Sequence, residues 1–140
     1  AIHTTCLSET IGDDIPTYIS QSQVPEGKLV IHANTPSYVG SHVTGFSNMV
    51  KGMVKYLARR DGINGKVNVI PGFVNPADMR EMKRLMEVMA VPCILFPDTS
   101  GVMDAPMTGR YEMYPAGGTR VEDLRDSGNS IATLLGAMCR

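Results

Sequence analysis

The sequence has no excess of positive charge, no long apolar run and few cysteines, and each lack removes a class of function. Thirteen Lys and Arg against 14 Asp and Glu leave a net charge of −1 over 140 residues. There is therefore no basic field to hold a nucleic-acid backbone and no polybasic stretch for anionic lipid. No uninterrupted apolar run approaches the roughly 20 residues that span a bilayer. The opening Ala1-Ile2-His3-Thr4-Thr5-Cys6 lacks the basic and apolar segments of a secretory leader. These absences lead to the expectation of a soluble, cytoplasmic protein without nucleic-acid or membrane partners. The cysteines, Cys6, Cys93 and Cys139, are three in number, widely separated and without a C-x-x-C pair. That argues against a disulfide framework and against a self-contained zinc site. An initiator Met is also missing, and an apolar run begins almost at residue 1, so the chain is expected to be an internal or processed piece of a longer protein.

What is present suits one sizeable core: 43% of the residues are hydrophobic, and a chain of this length buries about two-thirds of its unfolded surface. Four apolar runs rich in β-branched residues, at 2–5, 28–33, 66–70 and 92–96, alternate with helical patterns. This alternation predicts an α/β fold, a parallel sheet of about four strands with flanking helices. Leu29-Val30-Ile31 and Val67-Asn68-Val69-Ile70 are nearly continuous, as strands buried on both faces are. The expected division is a βαβαβαβ core over 1–97, then a Pro/Gly-rich connection with short helices over 98–140, packed on missing chain or a partner.

The helical stretches carry their own punctuation. Gly12 and Pro16 bracket Asp13-Asp14, which predicts two short helices, 7–11 and 15–21, with Asp14 capping the second. Val43, Phe46, Met49/Val50, Met53/Val54 and Leu57 form one apolar face, and Gly45 and Gly52 lie on nearly one stripe of that helix, which would admit a neighbouring backbone. A third helix opens with Asn75 as cap, Pro76 at the first position and Asp78 in the first turn, followed by Met79, Met82, Leu85/Met86 and Met89. Methionines at such spacing read as core filler. Weaker helical signals cover 121–125 and 130–138.

Ligands in open α/β sheets bind outside the carboxyl ends of the strands. Cys6 directly follows the first run, Thr35-Pro36-Ser37 the second, Pro71-Gly72-Phe73 the third and Pro97-Asp98-Thr99-Ser100 the fourth. One strand-helix-strand unit separates Cys6 from Ser37, which should bring both to one rim. A thiol at a helix start faces the positive end of the helix dipole, which suits metal ligation or nucleophilic attack. A nucleophile would call for a histidine base among His3, His32 and His42, with His42 reading more simply as a helix-start residue. A cluster would need ligands from outside the chain. Cys93 reads as a buried strand residue, Cys139 is uninformative, and Asp13-Asp14 reads as capping. Ala116-Gly117-Gly118-Thr119 lacks the lysine and spacing of a phosphate loop and reads as a plain connection.

The wording of the sequence is more specific than its periodicity. The run from Thr4 through Asp14, Thr4-Thr5-Cys6-Leu7-Ser8-Glu9-Thr10-Ile11-Gly12-Asp13-Asp14, and the block Asn34-Thr35-Pro36-Ser37-Tyr38-Val39-Gly40-Ser41-His42-Val43-Thr44-Gly45-Phe46 resemble the β chains of nitrogenase molybdenum–iron proteins. Val69-Ile70-Pro71-Gly72-Phe73 and Tyr114-Pro115-Ala116-Gly117-Gly118-Thr119 match later blocks of that family in the same order. The resemblance implies a segment of a longer chain in an α2β2 assembly. It implies as partners the α chain, a second β chain and an ATP-hydrolysing iron protein that donates electrons for dinitrogen reduction at a cofactor in the α chain. It also implies an 8Fe-7S P-cluster shared with the α chain, with Cys6 as a thiolate ligand and Ser37 as a ligand that joins when the cluster is oxidised. The isolated piece is expected to hold no intact P-cluster and to be inactive. Other readings are a cofactor-assembly scaffold of the same fold and a thiol enzyme with Cys6 as nucleophile.

Overall fold

The computed structural model describes residues 1–113 and 115–136, and these form two compact units, Ala1–Tyr56 and the residues from Leu57 onward. The first holds β1 (Ile2–His3), α1 (Cys6–Ile11), α2 (Ile15–Gln21), β2 (His32–Ala33) and, running to its boundary, α3 (His42–Leu57). β1 and β2 pair in parallel, Ile2 opposite His32 and His3 opposite Ala33. Only the end of the apolar run 28–33 is a strand, because β1 supplies just two residues for it to pair with.

α3 presents the predicted apolar face, with Val50 and Leu57 buried and Val43, Phe46, Met49 and Met53 half-buried. Of the two glycines on its stripe, one makes a close approach. A Cβ at Gly52 would stand 2.8 Å from the His32 carbonyl oxygen, whereas one at Gly45 would meet nothing within 4 Å. Gly52 is thus what lets α3 lie against the backbone of β2.

The second unit holds β3 (Val67–Ile70), α4 (Pro76–Val88), β4 (Cys93–Leu95), α5 (Val121–Asp126), a 3-10 turn (Ser127–Asn129) and β5 (Ala132–Leu135). Its sheet is parallel throughout, in the order β4-β3-β5. Val69, Met79, Met86 and Leu95 form its core, flanked by Val67, Val74, Met82, Val91 and Cys93. The methionines of α4 are core filler as expected at 79, 82 and 86, and full burial of such a side chain, as at Met79 and Met86, contributes about 1.5–3 kcal/mol. Met89 at the helix end is exposed. Asn75 and Pro76 start α4 as predicted, although the Asn75 side chain makes no capping bond.

The α/β class, with parallel strands and flanking helices, is as expected, and its strands are divided between two sheets, β1-β2 and β4-β3-β5. One expectation is corrected. The helical signal at 130–138 yields to a strand, β5, held by Ile131 N–H to the Lys66 carbonyl at 2.9 Å and Gly136 N–H to the Ile70 carbonyl at 2.7 Å. Residues 137–138 of that signal, and Cys139, lie outside the described residues. The two compact units divide after Tyr56, and the described residues of 98–136 fall in the unit of β3 and β4. The sequence run that follows β4 is tied back by side chains: Lys83 Nζ donates to Asp98 (2.7 Å) and to Ser100 Oγ (2.6 Å), and Arg80 pairs with Asp104.

Candidate functional site at the end of the β1-β2 pair

The four expected turns divide between the two sheets. Those of Cys6 and Ser37 follow β1 and β2, while 71–73 and 97–100 follow β3 and β4.

At the first rim, β1 runs through Thr4 and Thr5 into α1. Thr5 is the cap in extended backbone, and its N–H donates to Ser8 Oγ at 2.9 Å. Cys6 is the first helical residue, exposed, with its carbonyl accepting Thr10 Oγ1 at 2.7 Å. α1 ends at Gly12 in left-handed backbone. Asp14 then caps α2, accepting from the Thr17 N–H (3.1 Å) and hydroxyl (2.6 Å). Those bonds hold its carboxyl below the usual range, as expected of a capping role.

The neighbouring loop leaves β2 through Asn34 and Thr35 and carries Ser37, exposed, in a turn closed by the Val39 N–H on the Pro36 carbonyl at 3.3 Å. Gly40 follows with φ +71°, and a Cβ there would strike the Thr44 hydroxyl at 2.3 Å. A side chain cannot fit where the loop bends into α3. Asn48 Nδ2 reaches back from α3 to the Asn34 carbonyl at 2.9 Å. A pocket of about 280 Å³ opens here, with Thr35, Ser37, His42 and Asn48 in its wall.

The two loops are tied to each other through Thr4, a buried residue with 6% exposure. Its N–H donates to the Ala33 carbonyl at 3.2 Å, continuing the strand pairing. Its hydroxyl accepts the Thr35 N–H at 2.8 Å and donates to the Glu9 carboxylate on α1, while Thr35 Oγ1 donates to the Thr4 carbonyl at 2.9 Å. The sequence reading missed Thr4, Glu9 and Thr35 as site residues. The signal was Thr4 at an even step from Ile2, a polar side chain in line with a strand face.

The remaining candidates are placed elsewhere. His32 in β2 meets Tyr56, Nδ1 to Oη 3.4 Å with the rings edge to face. His3 lies exposed in β1 and His42 opens α3. Cys93 is half-buried in β4, where burial pushes its thiol up, opposed by the Lys83 charge. Gly117 and Gly118 have positive φ, and Thr119 Oγ1 donates to the Leu95 carbonyl (2.8 Å) while accepting the Asp98 N–H (2.9 Å). That block closes the end of β4, in agreement with its reading as a connection. Among the described residues no three His, Cys, Asp or Glu come together as a metal site, and no helix is long and apolar enough to cross a membrane.

Residues 1–139 match the family model described as nitrogenase component 1 type oxidoreductase. The chain is 70% identical over 139 residues to the nitrogenase molybdenum-iron protein beta chain of Clostridium pasteurianum, covering 96% of this chain and 30% of that one. It is 42% identical to the beta chain of Klebsiella pneumoniae, covering 96% and 28%. A solved structure titled nitrogenase Cp1 at pH 6.5 superposes with a TM-score of 0.89 at 69% identity, over 94% of this chain and 30% of the other. The chain therefore spans under a third of the length of these relatives, and on the match across residues 1–139 it belongs to the nitrogenase component 1 type oxidoreductase family.

Proposed function

We infer that the chain is a segment of a nitrogenase molybdenum–iron protein β chain, and that its part in the reaction is to ligate the P-cluster through Cys6 and Ser37. The observation that carries this reading is the pair of rim loops: a thiol and a hydroxyl, both exposed, presented from adjacent parallel strand ends that share the Thr4 clasp.

The donor set fits such a group. A soft thiolate suits iron–sulfur clusters in either redox state, and a hard alkoxide prefers the more oxidised iron. Two donors are too few for a cluster, which is consistent with further ligands from the rest of the chain and from the α chain. When bound, the P-cluster supplies storage and transfer of electrons between the iron protein and the dinitrogen-reducing cofactor of the α chain. Cys6 provides its Sγ from the first turn of α1, whose short capped helix sets where that sulfur points. Ser37 would hold the group through Oγ, whose proton would have to leave for that oxygen to serve as an alkoxide ligand. The full assembly is an α2β2 complex working with ATP and the iron protein in the cytoplasm, and the 140-residue segment alone is inactive.

The test is iron content of the full-length native complex, purified anaerobically, for wild type and Cys6→Ala. Several irons per β chain, sharply reduced in the variant, are expected. Equal iron in both, or none in either, overturns the ligand role, and the second result would leave a thiol enzyme as the reading to pursue. Ser37→Ala is expected to retain iron but to alter the redox titration of the cluster.

A further inference from the structure

We propose that Glu9 is a positioning residue, setting through Thr4 where Cys6 and Ser37 stand relative to each other; this rests on the cluster-ligand reading above.

Glu9 and Cys6 are three positions apart on α1, so they share a side of that helix. Ser37 is two residues beyond Thr35, in the other loop. Between them stands one hydroxyl, Thr4 Oγ1. It has a single proton and two acceptor lone pairs, and both capacities are used: it donates to the Glu9 carboxylate and accepts the Thr35 N–H at 2.8 Å. The Glu9 carboxylate accepts only, which settles the direction of the chain of bonds. Glu9 holds the proton of Thr4 toward α1, leaving the lone pairs of Oγ1 turned to the Thr35 amide. One end of the arrangement, Thr4, is buried, the condition in which an unmade hydrogen bond is most costly.

Loss of the carboxylate frees the Thr4 proton to seek another acceptor and weakens the hold of α1 on the loop of Ser37. The second bond between the loops, Thr35 Oγ1 to the Thr4 carbonyl, survives, so the fold is kept while the register of the two ligands loosens. Residues that orient metal ligands without touching the metal commonly cost about 10–100-fold in affinity or activity when removed. Here the effect should fall on the oxidised state, the one that draws on Ser37.

The experiment uses the full-length complex purified anaerobically, with Glu9→Ala, Glu9→Gln and Cys6→Ala compared to wild type for iron content, midpoint potential and the electron paramagnetic resonance spectrum of the oxidised state. Glutamine keeps an acceptor oxygen for the Thr4 hydroxyl and removes the charge. The expected pattern is full iron in both Glu9 variants, a displaced midpoint and altered oxidised spectrum in Glu9→Ala, and wild-type values in Glu9→Gln. Wild-type behaviour of Glu9→Ala overturns the proposal, as does an equal change in both variants, which would assign the effect to charge. Loss of iron in Glu9→Ala also overturns it, since the residue would then hold the fold. Iron retained in Cys6→Ala instead marks failure of the ligand reading itself, so the two failures are distinguishable.

Discussion

The contact of α3 with β2 can be weighed by an internal comparison, because the helix carries two glycines and only one touches backbone. Replacing a helix-interior glycine by alanine gains about 1 kcal/mol of helix propensity, and this gain is common to Gly45→Ala and Gly52→Ala. It cancels in the difference between them. What remains is the cost of the new methyl group, which meets nothing at Gly45 but stands 2.8 Å from the His32 carbonyl oxygen and 3.4 Å from the Ala33 Cβ at Gly52. The first of these is backbone and cannot rotate away, so helix and strand must separate by several tenths of an ångström. Overpacking of this kind costs about 1–3 kcal/mol. Gly45→Ala should therefore be more stable than the parent by about 1 kcal/mol, and Gly52→Ala less stable than Gly45→Ala by about 1–3 kcal/mol. Urea unfolding of the 140-residue chain followed by far-ultraviolet circular dichroism measures both. With a slope of about 1–3 kcal/mol per molar urea, the two midpoints should be separated by about 1 M. Equal shifts in the two variants would refute the reasoning that Gly52 is required by the approach of β2.

The other predictions concern the second unit. Asp98 has an almost covered side chain; burial raises its pKa, but the bonds from Lys83 and Ser100 outweigh that and hold the carboxyl below the ordinary range. A depressed folded value means stability that is fully present above the unfolded pKa of about 3.9 and lost as pH falls through the folded value. Asp98→Asn should cost about 1–2 kcal/mol at pH 7, the half-exposed Lys83 limiting the loss, and should flatten the decline in stability below pH about 4, as read by urea midpoints across pH. Asn68 is buried, donating to the Ser127 carbonyl at 2.8 Å and accepting Ser130 Oγ at 2.9 Å. Asn68→Leu should cost about 1–3 kcal/mol and hasten hydrogen exchange of the β5 amides, while β4 is affected less. Gly118, with φ +74° and the Asp98 carbonyl oxygen 3.3 Å from any Cβ, should lose about 1–2 kcal/mol on replacement by alanine, measured by thermal unfolding.

Local chemistry made much of the chain legible. Gly12, Asp14 and Pro16 mark the break between α1 and α2 by mechanisms that need no tertiary partner, and α3 and α4 follow from apolar spacing. Cys6 and Ser37 were readable as rim residues because Cys6 directly follows one apolar run and Ser37 stands in the turn after the next, and their family blocks were readable from wording alone. β5 was not legible, since Ser130-Ile131-Ala132-Thr133-Leu134-Leu135 has too little periodicity to distinguish helix from strand. Its state is decided by β3, which pairs with it from Val67 opposite Ala132 to Ile70 opposite Leu135, and by Gly136, where a Cβ would lie 2.2 Å from the Pro71 carbonyl oxygen.

The sequence by itself determined the α/β class, the parallel sense of the strands, the break between α1 and α2 and the family, because these depend on spacing, caps and residue identity along a short stretch of chain. Only the tertiary structure decided that the strands form two sheets, that the boundary lies after Tyr56, and that Glu9, Thr4 and Thr35 form one chain of hydrogen bonds. Strand pairing and polar satisfaction join residues about thirty positions apart, and a linear pattern carries no term for which distant donor will meet which acceptor.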